Sequence, residues 1–347
     1  MEEVHSASSF WDRVLPWRAN EPRTEEPNFD EESRAEAASP AFDIGSQTIA
    51  GRAKSALGAV NQDCVVVRRE ARRDREVHVL IVADGVTHAR VGAGERASGL
   101  ACERLVSVIG EQIRSFNAAA PIENVPPDWQ EILERACLAA SAAVVTEALS
   151  LPDRPEKIND NDLMSTTALI GILDGDELHL ANVGDSRAYL VANGIAEQLT
   201  VDGDVAASQL AAGIPPEQVQ ELGSAGKALR FCLGACRETP DGQLVVDPER
   251  SRPRVTRWKV MPGDTMVLCS DGLVEERVFL EPEDLVAVIE AGRDASSQQL
   301  AERLVAAADA KQRLPSQTEP NGYGDNITCL VLRLVSTPPR AASSGKG

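Results

Sequence analysis

Two stretches of the chain combine an uninterrupted apolar run with an abrupt end in Asp-Gly. One extends from Val79 to Gly85 and the other from Thr265 to Gly272. Apolar runs of this length, rich in β-branched residues, predict buried strands. Asp84 and Asp271 then leave their strands at the exit, where the following glycine permits a tight turn of the backbone. The pattern predicts two buried strands that each deliver a carboxylate to the edge of a sheet.

Four other segments carry apolar residues at helical spacing. The first is a long amphipathic helix from Gly92 to Phe116, and the second spans Asp128 to Leu149, with Asp128 as its N-cap. Two further helices are predicted over Pro282 to Ala291 and Ser296 to Ala310. The helices therefore come in two pairs, each inserted between groups of strands.

The remaining strands follow one another through short turns. Asp174-Gly175 and Asn193-Gly194 separate alternating apolar runs, which is a strong hairpin signal. Residues 202 to 224 interrupt this meander and are interpreted as a surface flap. Meanders with helix pairs inserted predict an α+β domain in which antiparallel sheets stack and helices cover the outside.

Composition divides the chain into three parts. Residues 1–43 are acidic and poor in large apolar groups, so we expect a disordered arm whose removal leaves the fold intact. Residues 44–335 form the predicted domain, and residues 336–347 are predicted to be a disordered tail.

Charge and cysteine usage exclude several classes of protein. A net charge of −19 argues against a nucleic-acid partner, because a phosphate backbone requires a basic face. The sequence has neither a membrane-spanning apolar run nor a signal peptide, so no membrane association and a cytoplasmic location are expected. The seven cysteines lie mostly in apolar runs and are interpreted as reduced core thiols; for Cys232 and Cys236, core packing is preferred to metal binding.

The acids at strand ends are candidate ligands for a hard divalent cation such as Mg²⁺ or Mn²⁺, which prefers oxygen donors. The candidates are Asp63, Asp84, the carbonyl of Gly85, Asp271 and Asp325. Each Asp-Gly pair alone is more often a simple turn. No Gly-x-Ser-x-Gly elbow and no phosphate-binding Gly-x4-Gly-Lys loop is present, so metal-assisted attack by water is the favoured chemistry.

The ordered motifs resemble the metal-dependent serine/threonine protein phosphatase family of the protein phosphatase 2C type. The resemblance covers about residues 44 to 335. The motifs that carry it are Asn61-Gln-Asp63, Val82-Ala-Asp84-Gly85, Ser165-Thr-Thr-Ala168, Asn182-Val-Gly-Asp-Ser-Arg-Ala-Tyr189, Leu199-Thr200, Cys269-Ser-Asp-Gly-Leu273 and Gly324-Asp-Asn-Ile-Thr328.

The resemblance implies an αββα sandwich with two Mn²⁺ or Mg²⁺ ions in a cleft between the sheet ends. It implies that a metal-bound water hydrolyses phosphoserine and phosphothreonine in phosphoproteins, opposite a serine/threonine kinase. Asp84 would bridge both ions and Gly85 would give its carbonyl, while Asp271 and Asp325 would hold the first ion. Asp63 would act at the metal or through a bound water. Asp162 lies where some members bind a third, looser ion.

Two positions depart from the family pattern, and one pair of motif residues is interpreted as structural. Gly58 stands where many members have a phosphate-gripping arginine, so Arg52 or Lys54 is the candidate substitute. His88 is a candidate proton donor, with a surface histidine as the equal alternative. Asp185 and Arg187 are interpreted as an internal charge pair that seals a turn.

Two other functions stay open at this point. A catalytically weak pseudophosphatase would keep the sandwich as a phosphoprotein-binding module; Gly58 favours it and the intact acids oppose it. An unrelated metal-binding sandwich without catalysis would have to explain the order of the motifs as accident.

Overall fold

The computed structural model describes residues 41–73, 75–87, 89–119, 126–152, 155, 157–159, 161–275, 278–317 and 322–335. The strands are β1 (Ala41–Ile49), β2 (Asp63–Arg72), β3 (Arg75–Asp84), β4 (Ala168–Asp174), β5 (Glu177–Val183), β6 (Arg187–Ala192), β7 (Ile195–Gln198), β8 (Cys236–Glu238), β9 (Leu244–Val246), β10 (Arg254–Lys259), β11 (Thr265–Cys269) and β12 (Ile327–Val335). The α-helices are α1 (Arg52–Ala56), α2 (Gly94–Ala118), α3 (Trp129–Ser150), α4 (Val205–Ala211), α5 (Pro216–Gln220), α6 (Pro282–Ala291) and α7 (Ser297–Lys311).

Two five-stranded antiparallel sheets form the centre of the fold. The first has the order β1-β12-β11-β6-β7, and the second has the order β10-β5-β4-β3-β2. Strands β8 and β9 form a separate two-stranded ribbon. The predicted α+β class with stacked antiparallel sheets is confirmed.

The apolar side chains fall into three layers, which explains why β3 is apolar from Val79 to Ala83. Leu80 and Val82 point to a cluster between the sheets, which also contains Leu268 and Leu330 of the first sheet. Ile81, one residue away, points to the opposite face and packs in the cluster that α2 and α3 cover. A third cluster lies between the first sheet and helices α6 and α7. Strands with both faces buried read as continuous apolar runs rather than alternating ones.

The helix ends follow the predicted signals. The carboxylate of Asp128 accepts a hydrogen bond from the backbone N–H of Glu131 at 3.0 Å, as an N-cap does. Ser296 and Gln299 form a reciprocal capping box at the start of α7. The caps orient both helices against their sheets.

Strand β1 shows that the boundary predicted at residue 43 is wrong. Ala41 pairs with Val335 across the β1–β12 ladder. Asp43 accepts hydrogen bonds from the backbone N–H and the hydroxyl of Ser297, and it forms an ion pair with Arg333 at 3.0 Å. Removing residues 1–43 would delete these contacts, so we expect the loss of Ala41 to Asp43 to destabilise the fold, whereas the composition predicts a harmless truncation. Residues 1–40 and the predicted tail 336–347 lie outside the described residues.

Strand β2 extends through a basic stretch of the sequence. It pairs with β3 as far as Arg72, whose guanidinium contacts the Asp174 carboxylate at 3.0 Å. Each of the seven cysteines is a free thiol, and six of them are buried. None of the described helices is both long and apolar enough to cross a lipid bilayer.

Candidate metal centre

The ladder register brings four acids from both sheets to one end of the sandwich. Asp63 opens β2 and lies directly opposite Asp84, the last residue of β3. Asp271 follows the end of β11 and Asp325 precedes the start of β12, and these two strands are antiparallel neighbours. Adjacent antiparallel strands place the exit of one beside the entry of the other.

Hydroxyl groups of the first sheet hold Asp63 of the second. Ser270 donates to Asp63 Oδ2 at 2.8 Å, and Thr328 donates to the same oxygen at 2.7 Å. Asp63 Oδ1 and Asp271 Oδ1 are both buried, and neither has a hydrogen-bond partner among the described residues. A buried acceptor without a partner is costly, so each of these oxygens is available to a cation or to a hydrogen-bond donor.

The environment of the acids disfavours their negative charge. Burial, followed by the charges of Asp325 and Asp271, raises the pKa of Asp63 to about 7 in spite of its two hydrogen bonds. Burial also raises the pKa of Asp84 well above its usual range, with the charges of Asp63 and Asp271 adding to the effect. The pKa of Asp271 is raised by burial and by Asp325. Like charges gathered in a desolvated cleft are stabilised by a bound cation.

The acids are neighbours rather than a completed coordination sphere. Across the described ranges, no three His, Cys, Asp or Glu side chains converge closely enough to form a ready metal-binding group. The donor set still suits a hard divalent ion, because it consists of carboxylate oxygens and includes the two buried oxygens without partners.

Glycines let the backbone approach these acids closely. A Cβ on Gly272 would lie 1.9 Å from the carbonyl oxygen of Asn326. Gly51 has a φ of 72°, and a Cβ there would lie 2.2 Å from the carbonyl oxygen of Asp325. Glycine at both positions therefore allows α1 and the β11 exit to close around Asp325.

Helix α1 carries both candidate phosphate-binding cations, and their side chains have different partners. The Lys54 ammonium contacts Asp325 Oδ1 at 2.5 Å and donates to Asn326 Oδ1 at 3.2 Å, so it lies among the site acids. Arg52 instead contacts Asp309 of α7 at 3.1 Å. Gly58 lies in the exposed turn after α1 with no atom near its Cβ position. The structure brings Lys54 to the site and not Arg52.

Two further predicted site residues are Asp162 and His88. The carboxylate of Asp162 accepts from the guanidinium of Arg90 at 3.1 Å and from the backbone N–H of Asn159 at 2.8 Å. Arg90 and Asn159 therefore satisfy this carboxylate, and none of its hydrogen bonds to described residues reaches the four acids. His88 lies outside the described residues.

The predicted charge pair between Asp185 and Arg187 is wrong. Arg187 contacts Asp202 instead, with Nη2 donating at 2.6 Å and Nε at 3.1 Å, and it also donates to the carbonyl of Val274 at 3.0 Å. Burial, then the charge of Asp271, raises the pKa of Asp185 well above its usual range. Asp185 is therefore a fifth acid beside the site.

Sequence reasoning also missed the residues that support the acids. Asn326 accepts from the backbone N–H of Gln62 at 3.1 Å, which ties the loop before Asp63 to the loop before β12. The motifs around Asp185 and Asn326 were visible, but a motif does not reveal which neighbour a side chain meets. That information lies in the pairing of distant strands.

The dependence of stability on pH tests the raised pKa of Asp63. We expect the chelator-treated protein to lose stability as the pH rises from about 4 to about 7, the interval between the ordinary and the folded pKa of Asp63. The folded state holds a proton there that the unfolded state has released, so raising the pH favours unfolding. The measurement is the melting temperature in EDTA against pH.

The pKa of His78 and of His179 is lowered, which makes stability rise with pH and opposes the effect of Asp63. The slope of melting temperature against pH is therefore compared between the wild type and Asp63→Asn. We expect the wild-type melting temperature to fall more steeply with pH than that of the variant. Equal slopes would contradict the shifted pKa of Asp63.

The comparisons with known proteins agree with this geometry. The family model described as Protein phosphatase 2C matches residues 50–314. The serine/threonine phosphatase stp of Listeria monocytogenes is 28% identical over 260 residues, which cover 73% of this chain and 83% of the relative. The serine/threonine protein phosphatase PstP of Mycobacterium tuberculosis is 26% identical over 283 residues, covering 78% of this chain and 46% of the relative.

Solved structures share the fold. The catalytic domain of PstP in complex with two manganese ions has a TM-score of 0.55 and 23% identity, covering 85% of this chain and 98% of that structure. The phosphatase Stp1 of Staphylococcus aureus has a TM-score of 0.61 and 19% identity, covering 88% and 99%.

A helix-covered pair of antiparallel sheets with acids gathered at one end defines the chain as a phosphatase of the αββα sandwich class. Because the family model spans most of its length, the chain belongs to the protein phosphatase 2C family. The family expectation from the motifs is confirmed.

Proposed function

We propose that the chain hydrolyses phosphoserine and phosphothreonine in proteins, with two Mn²⁺ or Mg²⁺ ions held by Asp63, Asp84, the Gly85 carbonyl, Asp271 and Asp325. The observation that carries the proposal is the pair of buried, unpartnered oxygens, Asp63 Oδ1 and Asp271 Oδ1, whose carboxyl groups have a pKa raised by burial and by neighbouring acids. The relatives stp and PstP are named serine/threonine phosphatases, and this supports the substrate class.

The protein's part in the reaction is to orient oxygen donors. Ser270 and Thr328 fix Asp63 Oδ2, which leaves Oδ1 directed into the site. Thr166 donates to the backbone carbonyl of Asp84 at 2.8 Å and fixes the end of β3. Divalent ions bound at such a site supply Lewis acidity, which lowers the pKa of water and neutralises phosphoryl oxygens.

Lys54 is the cation that we assign to the phosphate. Its side chain is 16% exposed and contacts Asp325, one of the acids assigned to the ions, so a phosphoryl group bound at those ions would lie near its charge. Its ion pair also keeps Asp325 in place. Unlike arginine, lysine offers a point charge rather than a two-pronged contact.

Lys54→Gln is expected to lower kcat/KM for a phosphopeptide by at least about tenfold, because a charge contact to phosphate is worth about 1.5 to 3 kcal/mol. Arg52→Gln is the matched control, and it should change kcat/KM less than about threefold, since its exposed pair with Asp309 contributes little. The measurement is phosphate release at saturating Mn²⁺. The reverse order of effects would assign the phosphate to Arg52.

The proposed reaction is tested with matched phosphoserine, phosphothreonine and phosphotyrosine peptides, each incubated with Mn²⁺ or with EDTA. We expect release of phosphate from the first two peptides in Mn²⁺ only. Peptide binding without turnover under every condition would support the pseudophosphatase instead.

We infer a cytoplasmic location and a serine/threonine kinase as the source of the substrates. Seven free thiols suit a reducing compartment, and the acidic surface suits a protein that binds no nucleic acid.

A further inference from the structure

A cavity of about 300 Å³ is lined by Lys54 and by Asp325, one of the four acids. Its walls are Ala53 and Leu57 on the side of α1, and Phe279 and Tyr323 opposite. The rings of Phe279 and Tyr323 lie 5.9 Å apart and are tilted by 38°. Leu57 is 54% exposed, and so part of the apolar wall faces solvent.

The charges around the cavity are compensated. Lys54 pairs with Asp325 at the inner end, and Glu275, which also lines the cavity, pairs with Lys227. The guanidinium of Arg313 lies over the ring of Tyr323, 5.4 Å from its centroid. The other described side chains that line the cavity, those of Ala53, Leu57, Phe279 and Tyr323, offer an aliphatic and aromatic surface to a ligand.

Two glycines, Gly322 and Gly324, line the cavity on the side of the β12 entry. A Cβ on Gly324 would lie 2.6 Å from the Cβ of Ala53. Gly322 has a φ of 60°, and a Cβ there would lie 2.4 Å from the carbonyl oxygen of Arg313. The backbone therefore packs against α1 at Gly324 and against Arg313 at Gly322 more closely than a side chain would allow.

We propose that this cavity receives an apolar side chain, of about the size of leucine, that neighbours the phosphorylated residue of the substrate. The inference rests on the proposed function, because it gives that site a sequence preference. The cavity shares Lys54 and Asp325 with the site, so an occupant attached to the substrate reaches both at once.

The reach fixes the position of this side chain in the substrate. An extended peptide advances about 3.3 to 3.6 Å per residue, and the cavity begins at the cation assigned to the phosphate. The neighbour that enters it is therefore within about two residues of the phosphorylated one. A residue further from the phosphorylated one would lie beyond the cavity.

The experiment compares phosphothreonine peptides with alanine flanks, in which leucine replaces each flanking alanine in turn. In wild-type protein at saturating Mn²⁺, leucine at one position is expected to raise kcat/KM by about tenfold, the size of a modest apolar pocket contact. Leu57→Ala and Tyr323→Ala should each reduce that ratio by at least about half. Leu138→Ala, which removes a 44% exposed leucine from α3, is the matched control and should keep the ratio.

The outcomes separate this inference from the proposed function. Turnover of all peptides at equal kcat/KM overturns the cavity assignment and leaves the phosphatase reaction standing. A leucine preference that both variants retain also overturns it. Absence of turnover for every phosphopeptide overturns the proposed function, and the cavity assignment with it.

Discussion

Asp271→Asn is expected to lower turnover by at least about a hundredfold and to leave the protein as stable in EDTA as the wild type, or more stable. Perturbing the surroundings of a bound metal alone costs about 10- to 100-fold, and the loss of a ligand should cost no less. In the absence of ions, Asp271 is a desolvated carboxylate beside Asp325, so removing its charge relieves repulsion. The two measurements are kcat at saturating Mn²⁺ and the melting temperature in EDTA.

Asp264→Asn is the matched control for this experiment. Asp264 lies at the other end of β11, where it accepts from the backbone N–H of Met261 at 2.9 Å in the turn before the strand. The substitution removes the same charge from the same strand and should leave turnover within about threefold, the range of a surface substitution. Unfolding of Asp271→Asn in EDTA would mean that Asp271 holds the fold rather than an ion.

The second large effect is on stability. Asp202→Asn is expected to destabilise the protein by about 3 kcal/mol, because it leaves the guanidinium of Arg187 without its charged partner in a largely buried position. Asp185→Asn should cost no stability in EDTA, since Asp185 is a desolvated acid near Asp271 and makes no ion pair with Arg187 among the described contacts. Urea unfolding in EDTA measures both free energies.

Turnover distinguishes the two variants further. Folded Asp202→Asn protein, assayed well below its melting temperature, should still hydrolyse phosphopeptide, because Asp202 is not among the acids assigned to the ions. Equal destabilisation by the two substitutions would restore Asp185 as a structural partner of Arg187.

Local pattern was sufficient to predict the strands and helices that build the sandwich. Asp84 and Asp271 were found because a buried strand must be apolar on both faces, so a carboxylate at its exit is conspicuous. Asp63 and Asp325 were found from their motifs, and the structure places all four acids at one end of the sheets. Their roles as ligands remain predictions.

The errors arose where a contact joins distant parts of the chain. Asp202 reaches Arg187 only after the β6–β7 hairpin returns, 15 residues later. The composition of residues 41–43 predicts a disordered arm, yet Asp43 accepts a hydrogen bond from Arg333, 290 positions away. Arg52 and Lys54 are two residues apart on one short helix, and only the packing of α1 decides which of them faces the acids.

The most direct test of the metal centre follows turnover and bound metal in the same samples. Protein stripped with chelator is titrated with Mn²⁺, while phosphate release from one phosphoserine peptide and the number of bound ions are measured together. We expect no turnover without metal and full turnover at two ions per chain, the number proposed for this site. Undiminished turnover by the stripped protein, or bound ions without any turnover, would contradict the assignment of the acids.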